Sequence, residues 1–265
     1  DLLRVLEFRQ AEGLRVLVIG RGSNLLISDA GFPGLVISFR KFEPGWFSLE
    51  PDGLLHVSGG LTLFRLALLS QQHSLGGAEF VCHIPGTVGG AIAMNAGFGR
   101  SGQLYSEMKD IVESVVTVDL EDGLTMRTLH RDEIDFGYRS TRFPSASLVL
   151  EVALRLVPKP MDLVETEIKA NFAYRNAVQD LRFPSAGSTF KNPRGFSLTS
   201  GQLLDRVGMK NMRIGGAMVS NRHANFFLNV DHATADDVLE LMSMGRKRVF
   251  EAFGVELEPE IKYVS

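Results

Sequence analysis

The sequence has a single cysteine and little excess of either charge. Cys82 is the only cysteine among 265 residues, which excludes an internal disulfide framework and suits a reducing compartment. The formal net charge is −3, too small to indicate a surface for nucleic acid or anionic membranes. We therefore expect a cytoplasmic protein that binds neither, and any anionic ligand to be held by local cations and backbone amides.

Long apolar runs and metal-ligand patterns are also missing. No run reaches the ~18 apolar residues of a membrane-spanning helix, and no signal peptide is visible. The six histidines show no H-E-x-x-H spacing, and there is no C-x-x-C, so we predict no metal site. His83 follows Cys82, but sequence neighbours in a strand or turn usually point apart. We therefore do not expect a catalytic thiol–imidazole pair.

Two glycine-rich loops stand out, "GRGSNLL" from Gly20 and "IPGTVGGAIAMNAG" from Ile84. After the first, a Rossmann unit would need a helix and a third glycine at the position of Leu25, but a strand of four residues follows instead. The second lacks the Gly-Lys-Ser/Thr of a Walker A loop. Thr87 is a plausible N-cap for a short helix, whose first amides would form a phosphate site. The two loops could cradle one long diphosphate, or they are tight turns without a ligand.

The remaining sequence mixes helical and strand periodicities. Apolar spacing predicts a helix at 2–12, and alternation predicts strands between 110 and 158. Thr234 and Asp237 have the spacing of a capping box for a helix that Gly254 ends. The stretch "VELEPEIKYV" alternates polar and apolar residues and predicts a final strand.

The stretch "SAGSTFKNP", residues 185–193, is unusual. Small residues crowd together before Phe190, and nothing in the run helps to fill a core. Three of its first four residues are poor helix formers. On the residues alone, a surface turn is the favoured interpretation, with Ser188 as a turn or N-cap serine.

Six short motifs occur in one order along the chain: "GRGSNLL", "IPGTVGGAIAMNAG", "GYRST", "PSAGSTFKNP", "HANFFLN" and "LEPEIKYVS". In this order and spacing they resemble the UDP-N-acetylenolpyruvoylglucosamine reductase family (MurB), flavoenzymes of peptidoglycan precursor synthesis. The resemblance covers the whole chain, and the short interval after Arg139 resembles the compact type II branch. The family's N-terminal strand segment is absent, so we expect that a piece of the FAD region precedes Asp1.

The resemblance implies an α+β fold. It would contain a vanillyl-alcohol-oxidase-like (PCMH-type) FAD-binding region over residues 1–158, made of two subdomains at 1–40 and 41–158. A C-terminal α/β substrate-binding lobe would follow at 159–265. Its last strand, at 255–265, would return to the FAD region.

The reaction implied by the resemblance reduces the enolpyruvyl double bond of UDP-N-acetylglucosamine enolpyruvate to give UDP-N-acetylmuramate. NADPH would be the electron donor and non-covalent FAD the carrier, with no obligate protein partner evident. Ser188 resembles the proton donor to the carbanion, and Arg139 the arginine that binds the substrate carboxylate and enolate. Glu260 resembles the glutamate that assists there. On the residues alone, Arg139 is a solvated strand arginine and Glu260 lies on a polar strand face.

The same resemblance assigns the binding residues. The flavin contacts would be Gly20, Gly22, Ser23, Asn24, Leu25, Pro85, Gly86, Thr87, Val88, Gly89, Gly90, Asn95, Ala96, Gly97 and Arg175. Asn192 and His223 match positions near the UDP-sugar. Two alternatives stay open: an FAD-dependent alcohol or sugar oxidase with His83 as a covalent flavin anchor, and a non-catalytic nucleotide-sugar binding module.

Overall fold

A computed structural model describes residues 2–41, 46–100, 105–121 and 124–265 of the chain. The chain divides into two compact units. The first consists of Asp1–Arg21 and Gly34–Tyr174, and the second of Gly22–Pro33 and Arg175–Ser265. These units differ from the predicted domains in two places, since the first continues past Pro158 and the second includes part of the first glycine loop.

The described residues form six α-helices and nineteen strands. The helices are α1 (Leu2–Ala11), α2 (Leu63–Gln72), α3 (Val88–Ala93), α4 (Met161–Val178), α5 (Ser200–Arg206) and α6 (Ala235–Phe253). The strands are β1 (Val16–Ile19), β2 (Leu25–Ile27), β3 (Leu35–Ser38), β4 (Phe47–Leu49), β5 (Leu54–Ser58), β6 (Leu75–Gly76), β7 (Gly97–Phe98), β8 (Ser106–Glu107), β9 (Val112–Asp119), β10 (Met126–His130), β11 (Asp135–Gly137), β12 (Ser140–Arg142), β13 (Ser147–Arg155), β14 (Val157–Pro158), β15 (Ser185–Ser188), β16 (Arg213–Ile214), β17 (Ala217–Val219), β18 (Phe226–Asn229) and β19 (Lys262–Val264).

The first unit is built on an antiparallel sheet with the strand order β10–β9–β13–β5–β4. Val152 of β13 pairs with Val57 of β5 and Val115 of β9, and all three side chains are fully buried. Such β-branched cross-strand rows favour the pleated sheet and drive its burial. Helix α3 packs against β13, so the second glycine loop is held on this sheet.

The second unit contains an antiparallel sheet with the order β15–β18–β17–β16. Helix α6 packs on β17 and β16 through an apolar stripe that includes Leu241, Met242 and Val249. The predicted capping box is confirmed, because the Thr234 hydroxyl accepts from the Asp237 amide and the Asp237 carboxylate from the Thr234 amide. The helix ends at a left-handed glycine, as predicted.

The final strand is shorter than its alternating pattern predicts. Only Lys262–Val264 is regular strand, paired in parallel with β2 of the same unit. Pro259 forms an isolated bridge with Phe190, and a proline has no amide hydrogen to continue a ladder. Leu257 and Ile261 are buried, but Tyr263 is 45% exposed.

Candidate active site

The stretch that contains Ser188 is a strand and not the predicted turn. β15 pairs with β18, with Ser188 opposite Phe226, and the register shifts between Ser185 and Ser188. Gly187 has φ +81°, a left-handed conformation that glycine adopts without steric cost and that bulged strands use. The small residues therefore permit a strand irregularity that presents Ser188 as a half-buried side chain.

The residues after Ser188 enter the core, contrary to the prediction that this run fills none. Thr189 is 1% exposed and Phe190 is fully buried. The Phe190 ring meets the Phe227 ring edge-on, with 6.0 Å between centroids. An aromatic side chain of this size fixes the backbone around it, so Ser188 sits beside a rigid anchor.

Glu260 lies next to the same segment. The Glu260 amide donates to the Thr189 carbonyl at 2.8 Å, and the Lys191 amide donates to the Glu258 carbonyl at 2.9 Å. The two catalytic candidates of the second unit, Ser188 and Glu260, are thus brought together by backbone hydrogen bonds.

Asn24 of the first glycine loop also belongs to this group. Its Nδ2 donates to the Glu260 carbonyl at 3.0 Å, and its own carbonyl accepts from the Lys262 amide at 2.9 Å. Gly22 has φ +71° and its carbonyl accepts from the Leu25 amide, which closes the turn. The loop therefore holds the backbone around Glu260 in addition to its predicted flavin role.

Asn225 was not predicted as a site residue, yet it holds the segment after Ser188. Its carbonyl accepts from the Thr189 amide, its Oδ1 accepts from the Phe190 amide, and its Nδ2 donates to the Phe190 carbonyl. Asn225 is 3% exposed. The signal in the sequence is an amide inside the apolar run "HANFFL".

The predicted substrate residue His223 lies in the turn between β17 and β18. Its Nδ1 accepts from the Asn225 amide at 3.2 Å, and its ring meets Phe226 edge-on at 5.0 Å. A side chain at Gly201 would crowd the imidazole, because its Cβ would lie 2.9 Å from the His223 Cε1. Burial lowers the pKa of His223, and the charge of Lys210 acts in the same direction, so the ring is neutral near pH 7.

A buried carboxylate supports that turn. Asp180 accepts from both Nε and Nη2 of Arg182 at 2.9 Å and from the Ser220 hydroxyl at 3.3 Å. Ser220 Oγ in turn accepts from the amides of Arg222 and His223. The hydrogen bonds from Arg182 hold the pKa of Asp180 at about 2. Asp180 was not predicted, and its signal would have been an acid two positions before an arginine.

The other two predicted residues of this unit have local partners. Asn192 is exposed, and its Oδ1 accepts from the Ser200 amide at the start of α5. Arg175 lies in the last turn of α4, where its Nε donates to Gln179 Oε1 at 2.5 Å. Neither contact brings these side chains to Ser188.

In the first unit the two glycine loops meet. A Cβ on Gly20 would collide with the Thr87 side chain, so the close approach requires glycine at position 20. Thr87 is the N-cap of α3, as predicted: its hydroxyl accepts from the Gly90 amide at 3.3 Å. The two loops that could form one feature are therefore in direct contact, between Gly20 and Thr87.

The phosphate-site prediction assumed that the amides at the start of α3 are exposed. In the structure they are not, so this prediction was wrong. Val88 donates to the Leu61 carbonyl and Gly89 to the Gly59 carbonyl, both at 2.8 Å, and the Gly90 amide is used by the cap. A Cβ on Gly89 would lie 3.1 Å from the Gly59 carbonyl. Gly89 thus fits the loop to the sheet, and its amide does not face a ligand.

Arg139 occupies a two-residue turn between β11 and β12. Its φ is +53°, which costs a non-glycine residue roughly 1–2 kcal/mol. Its Nη2 donates to the Gly97 carbonyl at 2.9 Å, and the Asn95 Nδ2 donates to the Gly137 carbonyl, also at 2.9 Å. The structure therefore brings Arg139 together with the predicted flavin segment 95–97, by hydrogen bonds in both directions.

Two tyrosines flank the Arg139 guanidinium. Its Cζ lies 5.5 Å from the ring centroids of both Tyr105 and Tyr138, within the range of a cation–π interaction. These contacts hold the plane of the guanidinium, which a bidentate carboxylate contact requires.

Cys82 and His83 do meet, contrary to the expectation for sequence neighbours. The Cys82 Sγ lies 3.6 Å from the His83 Nδ1, and both side chains are buried. The His83 ring packs edge-on against Phe98 at 4.0 Å. A buried imidazole between a thiol and a phenyl ring is poorly placed as a covalent flavin anchor.

No group of three or more His, Cys, Asp or Glu side chains in the described part of the chain is arranged to hold a metal ion. Within the same ranges, no helix has the length and apolar content needed to cross a membrane.

The features of the first unit fit a flavin nucleotide. At Gly20 and Thr87 the two glycine loops approach so closely that no side chain fits on Gly20. Arg139 donates a hydrogen bond to the Gly97 carbonyl of the segment Asn95–Gly97. Consistent with this, a family model described as "FAD binding domain" matches residues 1–129. The fold and site thus define a protein with an FAD-binding domain.

The family follows from three further comparisons. The model "UDP-N-acetylenolpyruvoylglucosamine reductase, C-terminal domain" matches residues 179–264. UDP-N-acetylenolpyruvoylglucosamine reductase 2 of Symbiobacterium thermophilum is 42% identical over 99% of this chain and 82% of its own length. The reductase of Pelobacter propionicus is 39% identical over 100% of this chain and 85% of its own. The chain belongs to the UDP-N-acetylenolpyruvoylglucosamine reductase family.

A solved structure agrees with this assignment. The crystal structure of UDP-N-acetylenolpyruvylglucosamine reductase (MurB) from Thermus caldophilus is 34% identical, with a TM-score of 0.79 over 98% of this chain and 89% of that chain. The predicted family and fold class are therefore confirmed. The residue roles within the site stay predictions.

Proposed function

We propose that the chain reduces the enolpyruvyl double bond of UDP-N-acetylglucosamine enolpyruvate with electrons from NADPH, giving UDP-N-acetylmuramate in the cytoplasm. The observation that carries the proposal is the pairing of the Ser188 and Glu260 segments through the Thr189 carbonyl, in a chain of this family. Bound FAD supplies the hydride transfer between NADPH and the double bond.

The first requirement of this reaction is to bind a carboxylate and stabilise the enolate that develops from it. Arg139 is assigned this role because its guanidinium is always charged and presents a planar pair of donors. The rings of Tyr105 and Tyr138 and the Gly97 carbonyl fix its orientation. A preorganised cation of this kind lowers the energy of developing charge without reorganisation.

The second requirement is a proton at the carbon that becomes a carbanion. Ser188 is assigned as the donor, since a hydroxyl is a weak acid and serves only a strongly basic atom at hydrogen-bonding distance. Glu260, whose amide is tied to Thr189, is assigned to assist at the carboxylate or to polarise the donor. His223 and Asn192 are assigned to the UDP-sugar and Arg175 to the flavin.

The test is product formation with defined reactants. Purified protein supplied with FAD, NADPH and UDP-N-acetylglucosamine enolpyruvate should yield UDP-N-acetylmuramate, one equivalent for each NADPH consumed, under anaerobic conditions. Oxygen-dependent hydrogen peroxide formation from an alcohol or sugar, without reduction of the enolpyruvyl group, would favour the oxidase alternative. Binding of UDP-sugar without any added FAD being retained would favour the non-catalytic alternative.

A further inference from the structure

Asn225 uses its polar groups on the two segments that carry candidate site residues. Three hydrogen bonds run to the segment after Ser188: Thr189 N to Asn225 O at 2.8 Å, Phe190 N to Oδ1 at 2.9 Å, and Nδ2 to Phe190 O at 2.7 Å. The fourth runs from the Asn225 amide to His223 Nδ1 at 3.2 Å. One buried residue therefore connects the segment directly after Ser188 to His223.

The two hydrogen bonds between the Asn225 side chain and the Phe190 backbone are more specific than a general packing contact. An asparagine amide has one acceptor and one donor side, and both match the Phe190 backbone here. Because the amide and carbonyl of one residue are held together, the chain at 189–190 has little freedom to shift along β18. Ser188 directly precedes this stretch, so the position of its backbone is restricted as well.

The contact with His223 determines which ring nitrogen carries the proton. A backbone N–H can only donate, so His223 Nδ1 must be the acceptor and hold a lone pair. In the neutral ring the proton then resides on Nε2. His223 thus presents an Nε2–H donor, which matches an acceptor oxygen of a nucleotide sugar and does not match a donor group.

We propose that Asn225 is a positioning residue that sets Ser188 for proton transfer and fixes His223 as a neutral Nε2–H donor to an oxygen of the UDP-sugar. This inference rests on the proposed function. Asn225 itself acts through Ser188 and His223, since all four of its hydrogen bonds go to the protein. Helix α5 packs against it, because a Cβ on Gly201 would lie 3.7 Å from the Asn225 Cβ.

The kinetic test separates the two half-reactions in Asn225→Ala. Reduction of the flavin by NADPH should be unchanged, and reoxidation by the enolpyruvyl sugar should slow by roughly 10- to 100-fold, the scale expected when a reacting group is misplaced by about 1 Å. Asn225→Asp keeps the acceptor for the Phe190 amide but loses the donor to its carbonyl, so it should be impaired less. Asn229→Ala is the matched control, as Asn229 is exposed at the end of β18 and its Oδ1 accepts from the Ala233 amide.

A double variant distinguishes positioning from general support of the fold. If Asn225 acts through Ser188, then Asn225→Ala should slow reoxidation no further in a Ser188→Ala background. Wild-type reoxidation rates in Asn225→Ala, equal slowing of both half-reactions, or additive slowing in the double variant would each overturn the proposal.

A spectroscopic test needs no turnover and no variant of Asn225. Long-range 15N–1H correlation of the folded protein should show one Nε2-protonated imidazole that is missing from His223→Gln. An Nδ1-protonated or doubly protonated His223 at pH 7 would contradict the inference, even if every kinetic result agreed. If the wild-type flavin is not reoxidised by the enolpyruvyl sugar, the proposed function fails, and the spectrum still decides the state of His223.

Discussion

The Glu260 amide donates a 2.8 Å hydrogen bond to the carbonyl of Thr189, the neighbour of Ser188. This bond joins two candidate catalytic residues through the backbone, without requiring their side chains to touch each other. Both side chains are half-buried; Ser188 ends β15 and Glu260 lies two residues before β19. The arrangement suits a site in which a proton donor and a carboxylate act on one small substrate group.

Ser188→Ala should separate the two half-reactions. Hydride transfer from NADPH to FAD produces no enolate, so the flavin should bleach at nearly the wild-type rate. Reoxidation by the enolpyruvyl sugar should slow by ~100- to 10,000-fold, the usual contribution of general acid catalysis. Stopped-flow absorbance of the flavin resolves both steps.

Ser188→Cys is the control for that change, because it keeps an exchangeable proton at the same position. It should reoxidise faster than Ser188→Ala. If both half-reactions slow equally in the alanine variant, Ser188 positions the flavin and donates no proton. If neither slows, the residue is only part of a strand.

Arg139→Lys should retain FAD and lose most of the turnover. An ammonium cannot make the paired contact with a carboxylate, and it also loses the fixed donor to the Gly97 carbonyl. A charged hydrogen bond is worth about 1.5–3 kcal/mol, so kcat/KM should fall roughly 10- to 100-fold. The flavin absorbance ratio checks cofactor retention, and turnover equal to the wild type would remove Arg139 from the mechanism.

Gly20→Ala should destabilise the first unit and weaken FAD binding. The added Cβ meets the Thr87 side chain, and overpacking of this kind typically costs about 1–3 kcal/mol. Urea unfolding measures the stability, and quenching of flavin fluorescence measures the affinity.

Thr87→Ala provides the matched background for Gly20→Ala. On its own it removes the cap of α3, which costs about 1 kcal/mol. It also removes the atoms that the new Cβ would strike, so the cost of Gly20→Ala should be smaller in that background. Additive costs would show that Gly20 is needed for a reason other than its contact with Thr87.

Asp180→Asn should lower stability near neutral pH and progressively less in acid. The folded-state pKa of Asp180 is depressed to about 2 by the hydrogen bonds from Arg182, below the unfolded value of about 3.9. Its stabilising contribution is therefore complete above pH ~4 and is lost as the pH falls through about 2. Charged hydrogen bonds to a buried carboxylate suggest a cost of about 1.5–3 kcal/mol at pH 7.

Urea unfolding at pH 7, 5 and 3.5 should show the gap between wild type and Asp180→Asn narrowing only at the lowest value. Asp205→Asn is the control, since its carboxylate is 48% exposed and pairs with Lys210 on the surface. Such pairs contribute about 0–1 kcal/mol. A gap as small as that of the control would show that the Asp180 cluster does not brace the turn of His223.

Local signals in the sequence predicted much of the fold. The capping box at Thr234, the N-cap at Thr87 and the helix at the start of the chain all depend on neighbouring residues, and the structure has them. The Ser185–Ser188 strand was missed because glycine and serine disfavour strands and the bulge at Gly187 hides the alternation. This segment becomes a strand because it pairs with β18, and the local sequence pattern does not contain that pairing.

The candidate site was predicted less completely than the fold. Ser188, Arg139 and Glu260 were named through the family motifs, whereas Asn225 was not given a role. Its amide bonds a backbone 35 positions away, and such a pairing leaves no local periodicity. The prediction of exposed amides at α3 was wrong because the acceptors of these amides are also distant in sequence. They lie on the loop at 59–61.

The parallel pair of β2 and β19 has a consequence for biosynthesis. Asn24 and Glu260, which bond beside it, are separated by 236 positions, and ribosomes add about 5–20 residues per second, so β2 waits roughly 10 to 50 s for its partner. During that interval the strand is an unpaired apolar edge in a nascent chain. The second unit can be completed only after residues 262–264 have been synthesised, which makes this step a natural point for chaperone protection.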